Sequence, residues 1–147
     1  DTSQITVMQI RQKLRRVNAS EALKPALVVV DYLQLMGSGS NRTENRQIEI
    51  AEISAGIKAL AKELEIPVIV LAQLNRQPEQ RGGGKPRMSD LRESGEIEQT
   101  ADQVLLVHRE PDRAMVRVAK YRMGPVFTAE LRFVGERCCF DDFGGWR

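Results

Sequence analysis

The stretch that most restricts the fold is a strand, a helix and a strand in succession. LVVVD at 27–31 and VIVL at 68–71 are short, apolar and β-branched, which favours buried strands. Between them Ile50, Ile53, Ile57, Leu60 and Leu64 recur at three- and four-residue steps, so 46–64 reads as one long amphipathic helix. Pro67 follows its end. Two buried strands joined through such a helix imply a right-handed parallel crossover. Both strands then point the same way. Asp31 and Gln73 fall at one edge of the sheet, where open α/β sheets bind ligands.

The flanking segments are consistent with an α/β fold. Thr2 or Ser3 can cap a helix that starts near Ile5, with Val7, Ile10, Leu14 and Val17 at helical spacing. Arg11 and Arg15 form a basic stripe on another face of it. A solvated helix face is the simple reading of that stripe; contact with a partner or nucleic acid is the other. GSGSNRTEN at 37–45 is a loop by composition. NRQPEQRGGGKPRMSDLRESG at 75–95 is a longer one, and from Arg76 to Arg92 it holds five basic residues against two acidic ones. A loop of that length is uncommon in a compact domain unless functional or disordered. Beyond it, Glu96–Ala101 reads as a short helix and Gln103–His108 as a third strand. Ala114–Lys120 and Phe127–Phe133 read as a hairpin turning at Met123, Gly124 and Pro125. The tail, FDDFGGWR, is expected to be loosely held.

Composition sets outer limits. A chain of 147 residues is enough for one domain, and 41% hydrophobic with 29% charged residues is an ordinary globular balance. No apolar run approaches the roughly 20 residues of a bilayer span, and residues 1–26 have no apolar centre like that of a signal peptide. A net charge of +2 is too small to indicate nucleic acid by itself. Cys138 and Cys139 are adjacent, which gives a strained bridge and no metal spacing, so they read as reduced thiols of a cytoplasmic protein. A single histidine, His108, excludes zinc sites built on several, and at a strand end it reads as structural. The chain begins at Asp1 without a methionine, as a fragment or a processed piece would.

Three features could carry chemistry. An aspartate closing a run of four apolar residues is the Walker B pattern. Mg²⁺ takes oxygen ligands and keeps several waters, so one fixed carboxylate, Asp31, suffices where phosphates supply the rest. Taken alone, Asp31 reads as a strand end facing water. The amide of Gln73 could hydrogen-bond a phosphate or an attacking water, or simply be exposed. Lys120 and Arg122 alternate on an extended stretch, so they point one way. Two cations on one spot suit a polyphosphate, whereas a solvent-facing hairpin edge also favours Lys and Arg. Against these stands an absence. The phosphate loop G-x-x-x-x-G-K-[ST] does not occur in these residues, and GGGKP at 82–86 has the wrong spacing.

VVVDYLQLM, ENRQIEIAEISAGIKALAKELEIPVIVLAQLNR, MSDLRESGEIEQTADQVLLVHRE and AKYRMGP together closely resemble the C-terminal part of DnaB-type replicative DNA helicases. The resemblance covers nearly the whole chain. It implies a RecA-like fold, a mostly parallel sheet flanked by helices with a C-terminal β-hairpin, with residues 1–147 the C-terminal portion of the motor domain. It also implies a hexameric motor that uses ATP and Mg²⁺ to move on single-stranded DNA and open the duplex at the replication fork. Asp31 matches the family's Walker B aspartate, which acts on Mg²⁺. Gln73 matches the glutamine coupling nucleotide state to the DNA loops. Lys120 and Arg122 match the pair that reaches a neighbouring subunit's ATP, with Arg122 as the arginine finger. Arg92, Glu93 and Gly95 match the channel-lining loop, and Arg76, Arg81, Lys85 and Arg87 supply its basic excess. The implied partners are single-stranded DNA, identical subunits, a primase and a helicase loader, and no membrane. The implied place is the bacterial cytoplasm or the plastid stroma.

The departures from the family matter equally. The phosphate loop, the catalytic glutamate after it and the primase-binding collar are all missing from the 147 residues. The chain alone is therefore expected not to hydrolyse ATP, and to bury its core incompletely. Two other readings compete. One is a RecA-like ATPase without unwinding activity, against which RESGEIEQ argues. The other is a non-catalytic truncation product that binds DNA or a helicase subunit.

Overall fold

The computed structural model describes residues 4–19, 24–37, 45–75, 84–91, 94–111 and 113–142. They fall into two compact units. The first comprises residues 1–73 with 92–100, the second 74–91 with 101–147.

The first unit is built on the strand–helix–strand segment. Helix α1 spans Val7–Asn18, strand β1 Val28–Val30, helix α2 Arg46–Leu64, strand β2 Val68–Val70 and helix α3 Ser94–Thr100. β1 and β2 pair in parallel, Val28 opposite Val68 and Val30 opposite Val70, as the long connection requires. The core is the inner face of α2, where Ile50, Ile53, Ile57 and Leu60 are all at least 94% buried, together with Ile10, Val30, Leu33 and Met36. Burying each such side chain contributes roughly 2 kcal/mol before entropy is counted. Asn45 caps α2 by accepting from the Gln47 amide at 2.9 Å. Its other end closes on Glu65 in the left-handed region, φ 54°. α1 lies close against α2: a Cβ on Gly56 would stand 3.2 Å from a Val7 methyl.

Several expectations need correcting here. α1 starts at Val7, later than Ile5, and its cap is Thr6; Thr2 and Ser3 lie outside the described residues. The reason is a capping box in TVMQ. Thr6 Oγ1 accepts from the Gln9 amide at 3.3 Å, and Gln9 Oε1 accepts from the Thr6 amide at 2.9 Å. Val17, counted with the apolar stripe, is exposed. The strands are shorter than 27–31 and 68–71, and they are covered on one face only. Val30 is buried, but Val29 is 57% and Ile69 50% exposed, because α2 packs against a single face. The basic stripe of α1 is a helix-to-helix link. Arg15 Nη2 donates to Glu63 Oε1 at 2.6 Å, and Arg11 Nε lies 3.0 Å from Glu63 Oε2.

The second unit is an antiparallel sheet in the order β3-β4-β5-β6, over Gln103–Arg109, Arg113–Tyr121, Phe127–Val134 and Cys139–Asp142. The expected hairpin is β4 with β5. β6 was not expected. Phe140–Asp142 of the supposedly loose tail belong to it, pairing with Leu131–Phe133, while 143–147 lie outside the described residues. Among the described strands four are therefore antiparallel and two parallel. Aromatic contacts hold the far side: the Phe133 and Phe140 ring centroids are 5.2 Å apart, and the Arg109 guanidinium sits 4.4 Å from the Phe133 centroid. His108 lies 3.6 Å from the Glu110 carboxylate, and Cys138 and Cys139 are free thiols. No helix among the described residues is long and apolar enough to cross a membrane.

Candidate nucleotide and nucleic-acid sites

Asp31 is the first residue after β1, and its side chain is exposed. Val28 and Val30 turn their side chains towards α2, so the strand is anchored up to its last residue and the carboxylate emerges from a fixed base. The Asp31–Tyr32 peptide is cis. Gln73 lies three residues past the end of β2 and is also exposed. Because β1 and β2 are parallel, both residues leave the sheet at its carboxyl end, as the crossover predicts. Among the described residues no group of three or more His, Cys, Asp or Glu could hold a metal ion by itself. A single exposed carboxylate still fits Mg²⁺ whose other ligands are phosphate and water.

The two candidate cations of the second unit lie on β4 and just past it. Lys120 lies in the strand opposite Val104, and Arg122 lies just beyond its end. The pairing continues past the strand, since the Arg122 amide donates to the Asp102 carbonyl at 2.9 Å. Lys120 is still in the strand, and Arg122 is the first residue of the turn that follows it. The Arg122 guanidinium is half exposed and rests 3.7 Å from the Asp102 carboxylate. An exposed pair of this kind contributes about 0–1 kcal/mol, so the guanidinium can exchange it for a better anion.

Of the proposed DNA-contacting residues, Arg76, Arg81, Arg92 and Glu93 lie outside the described residues. Gly95 lies in α3, and a Cβ added there would meet nothing within 4 Å. Lys85 and Arg87 are exposed. The two stems of the basic loop are tied together. Leu74 bridges Leu91 in antiparallel fashion, and the Asn75 amide donates to the Asp90 carbonyl at 2.8 Å. A 3₁₀ turn at Met88–Asp90 shapes the second stem. Asp90 is fully buried there, and its Oδ2 accepts from the Arg87 amide at 2.7 Å.

Sequence reasoning missed three residues. Asp90 looks like any loop acid, and a three-residue turn leaves no periodic trace. Gln34 hydrogen-bonds the main chain of Gln73 through both ends of its amide, although it sits in an apolar run with nothing to mark it. Arg117 shares with Lys85, Leu106, His108 and Phe127 a groove of about 430 Å³. A single cation in a strand gives no sign in the sequence of its neighbours on other elements.

Residues 1–142 match the family described as the DnaB-like helicase C terminal domain. The replicative DNA helicase DnaB of Leifsonia xyli is 48% identical over 151 residues, covering 97% of this chain and 32% of that protein. That of Mycobacterium leprae is 52% identical over 141 residues, covering 89% and 23%. That of Geobacillus stearothermophilus is 46% identical over 145 residues, covering 92% and 32%. The chain thus spans about a third or less of the length of these relatives. Among solved structures, a DnaB-like replicative helicase studied with its interactions with primase matches at a TM-score of 0.89 and 36% identity, over 98% of this chain and 36% of that one. A separately solved ATPase domain matches at the same TM-score and identity, over 54% of that chain.

Proposed function

The chain belongs to the DnaB-like helicase C-terminal domain family, and from that premise we propose that it is the C-terminal portion of the RecA-like motor of a replicative DNA helicase. The whole protein would couple ATP hydrolysis to movement along single-stranded DNA and to opening of the duplex at the fork. The observation that carries the reading is the shared carboxyl end of β1 and β2. Asp31 and Gln73 both follow that end of the sheet, and from Gln73 the chain runs directly into the basic loop.

In this reading Asp31 would help hold Mg²⁺ against the phosphates of ATP. The bound metal supplies charge neutralisation during phosphoryl transfer. Gln73 senses the phosphate or the attacking water. Lys120 and Arg122 address the ATP of an adjacent subunit in a six-membered ring, where arginine suits the charge developing on the transferred group. Arg76, Arg81, Lys85, Arg87, Arg92, Glu93 and Gly95 grip the phosphate backbone of one strand, with affinity that falls steeply with salt and depends little on sequence. The phosphate loop and catalytic glutamate that the family uses are not among the 147 residues, so these residues alone should not turn over ATP. A primase and a loader are the further partners, in the bacterial cytoplasm or the plastid stroma.

The test compares ATP turnover, with and without single-stranded DNA, by this chain and by the chain extended upstream by about 150 residues, one further domain's worth. Only the extended protein should be active, and DNA should stimulate it. Arg122→Ala should lower its turnover by about a thousandfold or more, the scale of an arginine finger. Wild-type turnover by the Arg122→Ala protein, or activity in the isolated chain, would overturn the reading.

A further inference from the structure

Hydrogen bonding between β1 and β2 continues beyond the strands. The Leu71 amide donates to the Val30 carbonyl at 2.9 Å, and the Leu33 amide to the Leu71 carbonyl at 2.8 Å. After that the chain following β1 turns away. Leu35 N–H donates to the Tyr32 carbonyl and Met36 N–H to the Leu33 carbonyl, both at 3.0 Å, closing a 3₁₀ turn over Leu33–Leu35. Leu33 and Met36 are 3% and 2% exposed, so the turn is pinned in the core.

The next rung is made by a side chain. Gln34 Oε1 accepts from the Gln73 amide at 3.1 Å, and Gln34 Nε2 donates to the Gln73 carbonyl at 3.3 Å. A carboxamide carries the same donor and acceptor as a peptide group, so one glutamine replaces a missing strand residue. The Gln34 main chain is itself held from α2, because its carbonyl accepts from Arg46 Nη2 at 2.8 Å and Arg46 is ion-paired with Glu49.

We propose that Gln34 is a positioning residue, whose carboxamide keeps the Gln73 main chain in register with the turn that follows Asp31. A shift at Asp31 on nucleotide binding or release then reaches the Gln73 main chain through the Gln34 carboxamide, and passes along the chain into the first stem of the basic loop. This rests on the nucleotide and DNA roles proposed above. Neighbouring geometry narrows the choice of side chain. Asparagine is one methylene too short, methionine fills the volume without hydrogen bonds, and glutamate sets a second acceptor against the Gln73 carbonyl.

The test uses the full-length protein with Gln34→Met, Gln34→Glu and Gln73→Ala. Two quantities are read: the ratio of DNA-stimulated to basal ATP turnover, and hydrogen exchange at the Gln73 amide without nucleotide or DNA. Gln34→Met should lower the ratio about tenfold and speed the exchange by a similar factor, the scale of one to two net hydrogen bonds. Gln34→Glu should do at least as much. Unchanged exchange in Gln34→Met would show that no clamp exists, and the proposal would fall. Faster exchange with an unchanged ratio would make Gln34 merely structural, and the proposal would again fall. Should Gln73→Ala keep the ratio while Gln34→Met loses it, the sensing role of the Gln73 side chain fails but the main-chain clamp stands.

Discussion

The parallel and antiparallel sheets keep their apolar residues in different places. In the first unit the buried side chains come mainly from α2 and from the end of β1 with the turn after it, and they form a single cluster around Ile50 and Ile53. In the second, Val104, Leu106, Ala114 and Val118 are buried while Leu105, Val107 and Phe127 remain about half exposed. The first unit is therefore organised by helix packing. The second is organised by its ladders, in which main-chain pairing runs through four strands. The candidate site residues follow this division. Asp31 and Gln73 hang on short connections from a packed core, whereas Lys120 and Arg122 lie along and just past a long strand.

The largest effect that could break this contrast is a cavity. Ile53→Ala should destabilise the first unit by about 3 kcal/mol, because Ile53 is 1% exposed at the centre of the cluster. Val107→Thr, at a position 57% exposed, should change the second by under about 0.5 kcal/mol. Native-state hydrogen exchange, read separately over α2 and over β3, would distinguish them. Equal effects would mean that the open face of β3 is as tightly packed as the helix core.

A smaller effect of opposite sign is expected at the end of α2. Glu65 occupies the left-handed region at φ 54°, where an L side chain is strained and glycine is not. Glu65→Gly should slow exchange in the last turn of α2, a gain of about 0.5–1 kcal/mol. The smallest effect concerns Glu63. The hydrogen bond from Arg15 holds its carboxyl below the ordinary range. Partial desolvation opposes this, and the charges of Arg11 and Arg15 add to the lowering. A depressed folded value means that the link stabilises above the ordinary glutamate pKa and is lost as the pH falls through the lowered one. Glu63→Gln should flatten that acidic part of the stability profile and leave the alkaline part unchanged. An unaltered acid limb would show that the link between α1 and α2 is packing alone.

The same division explains what could be read in advance. The extent of α2 was legible because nineteen residues give the 3.6-residue period room to repeat, and Asn45 and Pro67 bracket it. The parallel pairing followed from topology. The burial of the strands was not legible. A run such as VVV reads alike whether one face or both are covered, and only the position of α2 decides. β6 was hidden because CFDD has no neighbours to alternate with until β5 lies beside it. Asp31 and Gln73 could be proposed because each follows a strand closely, at the same end of the sheet. Gln34 could not, because its importance lies in the amide group it adds to a ladder, and no sequence pattern records which side chains imitate the main chain.

The Leu74–Leu91 bridge, with the Asn75–Asp90 hydrogen bond beside it, closes the basic loop at its base. A loop closed in this way answers weakly to its own length, because doubling the number of residues between fixed ends costs only about 0.6 kcal/mol. A change in the length of the loop should therefore leave the bridge at its base in place. Loop length and the stability of the unit beneath it can then vary almost independently.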